Sequence, residues 1–327
     1  MRYALRRLEF FAITLWAALT LNFILPRLMP GNPAEAMLVR FRGRVSLKAV
    51  EEMEAAFGLH PHTSIFQQYF EYLSNTAHGE LGTSLSFFPT PVGKVIMLAL
   101  PWTVGLVGTA TVIAFLLGTL IGMLAAWRRG GIFDALLPPT FIVVGAIPYF
   151  WIGLLLLLVF SFTLQWFPLG FGYDLTDQIN LSWSFASQVV VHGFLPALTI
   201  VITSIGGWIL TMRNTMVTTL AEDYVKMARA KGLSPVRIML NYAGRNAILP
   251  NLTGFAMSLG FVISGAIAVE IVFNYPGLGF MLLTAVNNED FALMQGLFLL
   301  ITVAVLVAIL IADVVTAILD PRTRESS

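Results

Sequence analysis

Cysteine is missing altogether, so no disulfide, thiolate chemistry or cysteine metal site is open to this chain. Charge is scarce as well: 19 basic and 18 acidic residues stand among 327. With 11% charged residues, 57% hydrophobic residues and a mean hydropathy of +0.81, the chain has too little polar surface to cover a soluble globule. Composition therefore gives a polytopic integral membrane protein, and its apolar runs make the expected fold class all-α. A net charge of +1 offers nothing to a nucleic acid, and basic residues gathered between apolar runs are explained by orientation in a bilayer. The four histidines, His60, His62, His78 and His192, are too scattered for a metal centre, and no convergent catalytic set is found. Gly-x4-Gly-Lys-Ser/Thr occurs nowhere, which removes a P-loop nucleotide site. Internal repeats and low-complexity segments are also lacking.

What the chain does have is six apolar runs. The first, Phe10 to Leu25, follows Arg2, Arg6 and Arg7. A signal peptide cut near Ala34-Glu35-Ala36 is the alternative, but Pro26, Arg27 and Pro30 separate the run from that triplet, so it reads as an uncleaved helix with its N-terminus inside. Residues 29–98 hold Pro, Gly, most of the Glu and many aromatics without a run of spanning length, and read as an extracytoplasmic domain. Ser46 caps a helix closed by Gly58, and Ile65 to Leu73 forms another. The second span begins after Pro101 and ends at Trp127, with Arg128 and Arg129 inside. The third, Leu136 to Trp166, contains Pro138, Pro139 and Pro148 and should be kinked or broken. An external loop over 169–190 carries Asp174 and Asp177, and the fourth span covers His192 to Met212. The fifth runs from Ile248 to Phe273 and the sixth from Phe291 to Ala312, with Asp313 and the tail at the inner face. Both ends lie inside in this scheme. The organisation is a first helix (1–28), an extracytoplasmic domain (29–98) and a core of five helices (99–327) with a cytoplasmic loop at 213–247.

That loop is the charged interruption in an apolar chain. It bears Arg213, Lys226, Arg229, Lys231, Arg237 and Arg245. Thr219 and Glu222 have capping-box spacing, and Glu222 stands four residues before Lys226, so a helix should begin near Leu220. Gly232 should close it in the left-handed conformation, after which Ser234 and Pro235 open the next helix. Leu220, Tyr224, Met227 and Ala228 share one side of the first helix, opposite Lys226 and Arg229. Such a helix either lies flat beneath a membrane or docks on a partner. Near the end of the fifth span, Glu270 precedes a turn made by Pro276, Gly277 and Gly279. It either lines a path through the membrane or caps that turn. A secondary transporter or channel would need paired ionisable residues at mid-membrane depth, whereas Glu270 and Asp313 stand near helix ends.

The run DYVKMARAKGL, with Gly232 four residues after Ala228 and an Ile-Leu-Pro ending at Pro250, resembles the EAA loop of bacterial ABC importer permeases. Lys226, Met227 and Ala228 stand where that loop has Glu-Ala-Ala, a departure similar to the dipeptide, oligopeptide and nickel branch. MPGNP (29–33), GELGTS (79–84), IPYFWIGLLLLLVFS and VEIVFNYPGLG (269–279) resemble the same branch. The resemblance implies that Glu222, Asp223, Tyr224, Lys226, Ala228, Arg229, Lys231 and Gly232 couple the chain to an ATPase, with Ala228 on the face entering its groove. It further implies a second, similar permease, two cytoplasmic ATPase subunits that hold the ATP and Mg, an extracytoplasmic binding protein, and a place in a bacterial or archaeal inner membrane. No cofactor is expected in this chain. Peptides are the substrate implied, with oligosaccharides or nickel as alternatives within the same architecture.

Overall fold

A computed structural model describes residues 2–28, 63–177, 179–180, 182–264 and 266–319. In chain order the helices are α1 (Arg2–Leu28), α2 (Ile65–Ala77), α3 (Val92–Trp127), α4 (Ile132–Gly145), α5 (Tyr149–Leu156), α6 (Trp183–Leu220) and α7 (Asp223–Ala230). Next come α8 (235–247, π-helical over Ile238–Gly244), α9 (Leu249–Phe261), α10 (Ile267–Val272), α11 (Leu278–Asn287) and α12 (Phe291–Leu319). A π-helical segment, Leu157–Thr163, continues α5. Among the described residues extended pairing is limited to one isolated bridge, Thr83 with Pro91. The all-α expectation holds, while the segment capped by Ser46 and the MPGNP stretch lie outside the described residues.

Among the described residues three helices are long and apolar enough to cross a membrane: Val92–Trp127, Trp183–Leu220 and, within α12, Phe291–Ile311. A fourth is obtained if α4 and the 149–163 helix count as one span, bent by 97° at the break. That break falls at Pro148, which lacks an N–H and keeps the residue before it out of helical geometry. Shorter apolar stretches are Glu9–Leu25 in α1 and α11 itself.

Several boundaries differ from the sequence reading. The second span begins at Val92, and Pro101 lies inside it; a proline costs a helix one hydrogen bond, and the packed residues on its first turns outweigh that loss. The fourth runs from Trp183 to Leu220, because Ser182 caps it, its hydroxyl accepting the Phe185 N–H at 3.1 Å. The fifth expected span is not continuous: α9 passes into a 3₁₀ turn at Val262–Ser264 before α10. The sixth continues to Leu319, beyond Asp313. Helix α11, which follows the Pro-Gly turn, was not foreseen.

The chain packs as two units. The first comprises Met1–Thr103, Ile263–Ile267 and Pro276–Val307. In it Val92, Val95, Ile96 and Ala99, at helical spacing on α3, meet Leu278 and Ala285 of α11 and Leu293, Met294 and Leu297 of α12. Gly296 lets α12 approach closely, since a Cβ there would stand 2.5 Å from Val92 Cγ1. Buried Asp290 opens α12. Its carboxylate accepts from Ser84 Oγ at 2.5 Å, Ser86 N at 2.7 Å and Leu293 N at 3.0 Å, fastening the 84–91 loop to the helix start. The Leu278 N–H at the start of α11 is taken by Thr103 Oγ1 at 2.8 Å.

The second unit comprises Val104–Val262, Ala268–Tyr275 and Ala308–Ser327. Small residues bring its helices together: a Cβ on Gly122 of α3 would lie 2.4 Å from Ile209 O of α6. Buried Asn251 of α9 donates to Thr119 Oγ1 at 2.9 Å and to Trp208 O at 3.2 Å. Each bond replaces one that water would otherwise supply.

Candidate functional site

The charged loop becomes a short helix mounted on a bed of methionines. Helix α6 runs on to Leu220, so the expected start near that residue is corrected: Thr219 is still helical, its hydroxyl bonded to Thr215 O at 2.8 Å, and the capping box with Glu222 does not form. Glu222 is itself the residue preceding α7, in extended conformation. The ion pair also moves, because Lys226 Nζ reaches Asp223 Oδ1 at 2.9 Å, one turn away. That bond holds the Asp223 carboxyl below its usual range.

At the other end the expectation is met. Gly232 adopts φ +74°, Leu233 N–H donates to Ala228 O at 3.3 Å and Gly232 N–H to Arg229 O at 2.9 Å. This pair of bonds is the Schellman closure, and it needs a residue that tolerates a left-handed backbone. Ser234, extended, then precedes Pro235 at the first position of α8.

The buried face of α7 is not the predicted one. Val225 and Ala228 point inward, with Ala228 only 2% exposed, against Met123 and Ala126 of α3, Met212 and Met216 of α6, and Ile238, Ala243 and Ala247 of α8. Ala228 therefore packs inside this chain and is not on a face open to a partner. Met227, expected on the same side as Ala228, is 59% exposed, and Tyr224 is exposed too. The reason is packing: Val225 and Ala228, three residues apart, share one face, and that face meets the apolar cluster of α3, α6 and α8.

The outer face thus shows Glu222 and Asp223 at the start of α7, Lys226 and Met227 in the middle, and Arg229 and Lys231 at the end, all exposed. Acid at the N-terminus and base at the C-terminus both suit the helix dipole. Two contacts brace the helix from the sides. Asn246 Nδ2 donates to Tyr224 Oη at 2.8 Å, and the Arg229 guanidinium lies 5.9 Å from the Trp127 ring centre. Farther up α6, Arg213 grips Asp134 of α4 with two bonds, through Nε to Oδ1 and through Nη2 to Oδ2 at 3.0 Å, while Gly130 N–H donates to the same carboxylate at 3.0 Å. Sequence reasoning missed this clamp, which joins residues far apart in the chain.

The second group of expected residues lies at the end of α10 and the start of α11. Glu270 is fully buried in α10, and its main-chain oxygen takes the Tyr275 N–H at 2.8 Å. Gly277, extended at φ −90°, immediately precedes α11, and Gly279 lies buried within that helix rather than in the turn. Pro276 is half-buried beside them in sequence. Asp290 was overlooked too, although an aspartate directly before an apolar run is a helix-start signal. Among the described residues no group of metal-ligand side chains is found.

Comparison with known proteins adds an independent line. A family model described as "Binding-protein-dependent transport system inner membrane component" matches residues 118–325, which contain α7 and its bed. The "Di/tripeptide transport system permease protein DppB" of Pseudomonas aeruginosa (strain UCBPP-PA14) is 32% identical over 332 residues, covering 98% of this chain and 97% of that protein. The "Oligopeptide transport system permease protein AppB" of Bacillus subtilis (strain 168) is 32% identical over 320 residues, with 98% of each chain covered. The "Dipeptide transport system permease protein DppB" of Lactococcus lactis subsp. cremoris (strain MG1363) is 30% identical over 325 residues, with 99% of each covered.

Proposed function

Because this chain belongs to the family of binding-protein-dependent transport system inner membrane components, we propose that it is the permease subunit of an ABC importer and forms the path by which peptides cross the membrane. The observation that carries the substrate class is end-to-end similarity to permeases of di-, tri- and oligopeptides. Oligosaccharide and nickel import gain no such support from those relatives.

ATP and Mg belong to two cytoplasmic ATPase subunits, peptide capture to an extracytoplasmic binding protein, and the other half of the path to a second, similar permease. The chain crosses the membrane six times with both ends inside, residues 29–98 are external, and 213–247 is the coupling loop. Support for this topology comes from the charges: the scheme puts Arg128, Arg129, Arg213 and the bases of α7 and α8 inside, leaves Arg27, Arg40, Arg42, Arg44, Lys48 and Lys94 outside, mostly in the long domain that the rule weighs least, and gives the external loop Asp174 and Asp177 without Lys or Arg.

Coupling follows from how α7 is mounted. The ATPase meets the exposed residues Glu222, Asp223, Tyr224, Lys226, Met227, Arg229 and Lys231. Val225 and Ala228 pass the displacement to α3, α6 and α8, with which they share one apolar cluster. Methionines suit such a bed, since flexible thioethers can repack as helices shift. Gly232 sets the angle at which α8 leaves. Glu270 is a structural residue of the turn near Tyr275, and Pro276, Gly277 and Gly279 fix the start of α11. Alternating access is then a population shift between two packings that ATPase closure biases.

The test is reconstitution of the permease pair, ATPase subunits and binding protein in proteoliposomes. ATP-dependent accumulation of a labelled dipeptide, abolished by omitting the binding protein, is the expected result. Uptake without ATP, or ATP-driven uptake of an oligosaccharide but not of any peptide, would overturn the proposal.

A further inference from the structure

Helix α2 has three faces. Gln68, Tyr69 and Tyr72 turn to α1. There Thr20 Oγ1 lies 2.7 Å from Tyr69 Oη, Asn22 Nδ2 donates to Tyr72 Oη at 3.1 Å, Arg27 Nη2 donates to Gln68 Oε1 at 3.3 Å, and the Phe23 ring meets Tyr69 edge-on at 5.2 Å. Gln67, Glu71 and Asn75 form a polar side. Phe66 and Phe70, one turn apart, form an apolar stripe between these two, and they are 78% and 66% exposed.

An uncovered aromatic stripe marks a contact surface. What it contacts is indicated by α1. The apolar length of that helix, Glu9–Leu25, carries exposed Phe10, Ile13, Trp16, Leu21, Ile24 and Leu25, which in an inner-membrane component face acyl chains. The bonds that join α2 to α1 fall at residues 20–27, where the apolar length ends and Arg27 begins the polar region. The stripe therefore continues the lipid-facing surface of α1 at the depth where hydrocarbon gives way to headgroups. We propose that α2 is an interfacial helix whose Phe66 and Phe70 insert into the lipid bilayer at this boundary, with Gln67 and Asn75 turned to water. Glu71 is its one charged side chain, so insertion is driven by apolar area rather than by attraction to anionic lipid. The inference rests on membrane residence and is independent of the substrate carried.

The absence of cysteine allows a direct test. Single cysteines at Phe66, Phe70, Gln67 and Asn75, spin-labelled in the assembled complex in phosphatidylcholine nanodiscs without binding protein, report collisions with oxygen and with a water-soluble nickel chelate. Oxygen should exceed the chelate at 66 and 70, with the order reversed at 67 and 75, and added anionic lipid should leave the pattern unchanged. A photoactivatable phosphatidylcholine should also attach to α2 in the unsubstituted complex. Chelate dominance at all four positions, protection of 66 and 70 from both probes, or protection that arises only on adding binding protein would overturn the proposal.

Discussion

At the scale of single residues, Asp290 is the side chain on which most local structure depends. It accepts from a hydroxyl and from two main-chain N–H groups, and the bonds from Ser84 Oγ and Leu293 N are buried away from water. Asp290→Ala removes a helix cap and leaves buried donors unpaired, with an expected loss of about 2 to 4 kcal/mol. Asp290→Asn keeps one acceptor oxygen and should lose distinctly less. Thermal unfolding of the two variants in the same detergent checks the order, and equal loss would show that shape alone matters at this position. Ser84→Ala should reproduce part of the Asp290→Ala effect, since it deletes one of the same three bonds.

At the scale of elements, α7 separates mounting from docking. Ala228→Trp forces a large ring into the cluster of Met123, Met212 and Met216, and overpacking of this kind costs about 1 to 3 kcal/mol. Gly232→Val puts a β-branched residue at φ +74°, which is disfavoured by about 1 to 2 kcal/mol, and redirects α8. Both should lower thermal stability and stimulated ATP hydrolysis together. Met227→Glu acts on the exposed face only. It should leave unfolding unchanged while reducing co-purification of the ATPase subunits and stimulated hydrolysis. Normal coupling in the Met227→Glu variant would place the docking surface elsewhere on the loop.

For the whole molecule the charge pattern makes the sharpest statement. Cysteines at Asp174 and Asn287 should react with an impermeant maleimide in intact cells, and cysteines at Gly130 and Ser234 only after the membrane is opened. All four positions are exposed, so failure to label reports sidedness and not burial. Labelling of Ser234→Cys in intact cells would overturn the orientation and with it the cytoplasmic place of α7.

The sequence by itself determined membrane class, helical architecture, the broken third span at Pro148 and the closure of α7 at Gly232. Each follows from local chemistry: apolar length, the missing proline N–H, and a left-handed position that only glycine takes without strain. Resemblance in short motifs was enough to reach the family. Tertiary structure decided which face of α7 is buried: Val225 and Ala228 enter the cluster with Met123, Met212 and Met216, whereas spacing along the helix only groups Ala228 with Tyr224 and Met227 and says nothing of what faces them. It also decided that Pro101 is carried within a helix, since packing on Val92, Val95, Ile96 and Ala99 outweighs one lost hydrogen bond. The Asp134–Arg213 clamp and the Ser84–Asp290 tie join residues 79 and 206 positions apart. No spacing along the chain encodes such pairs, and only the folded packing brings their partners within reach of a hydrogen bond.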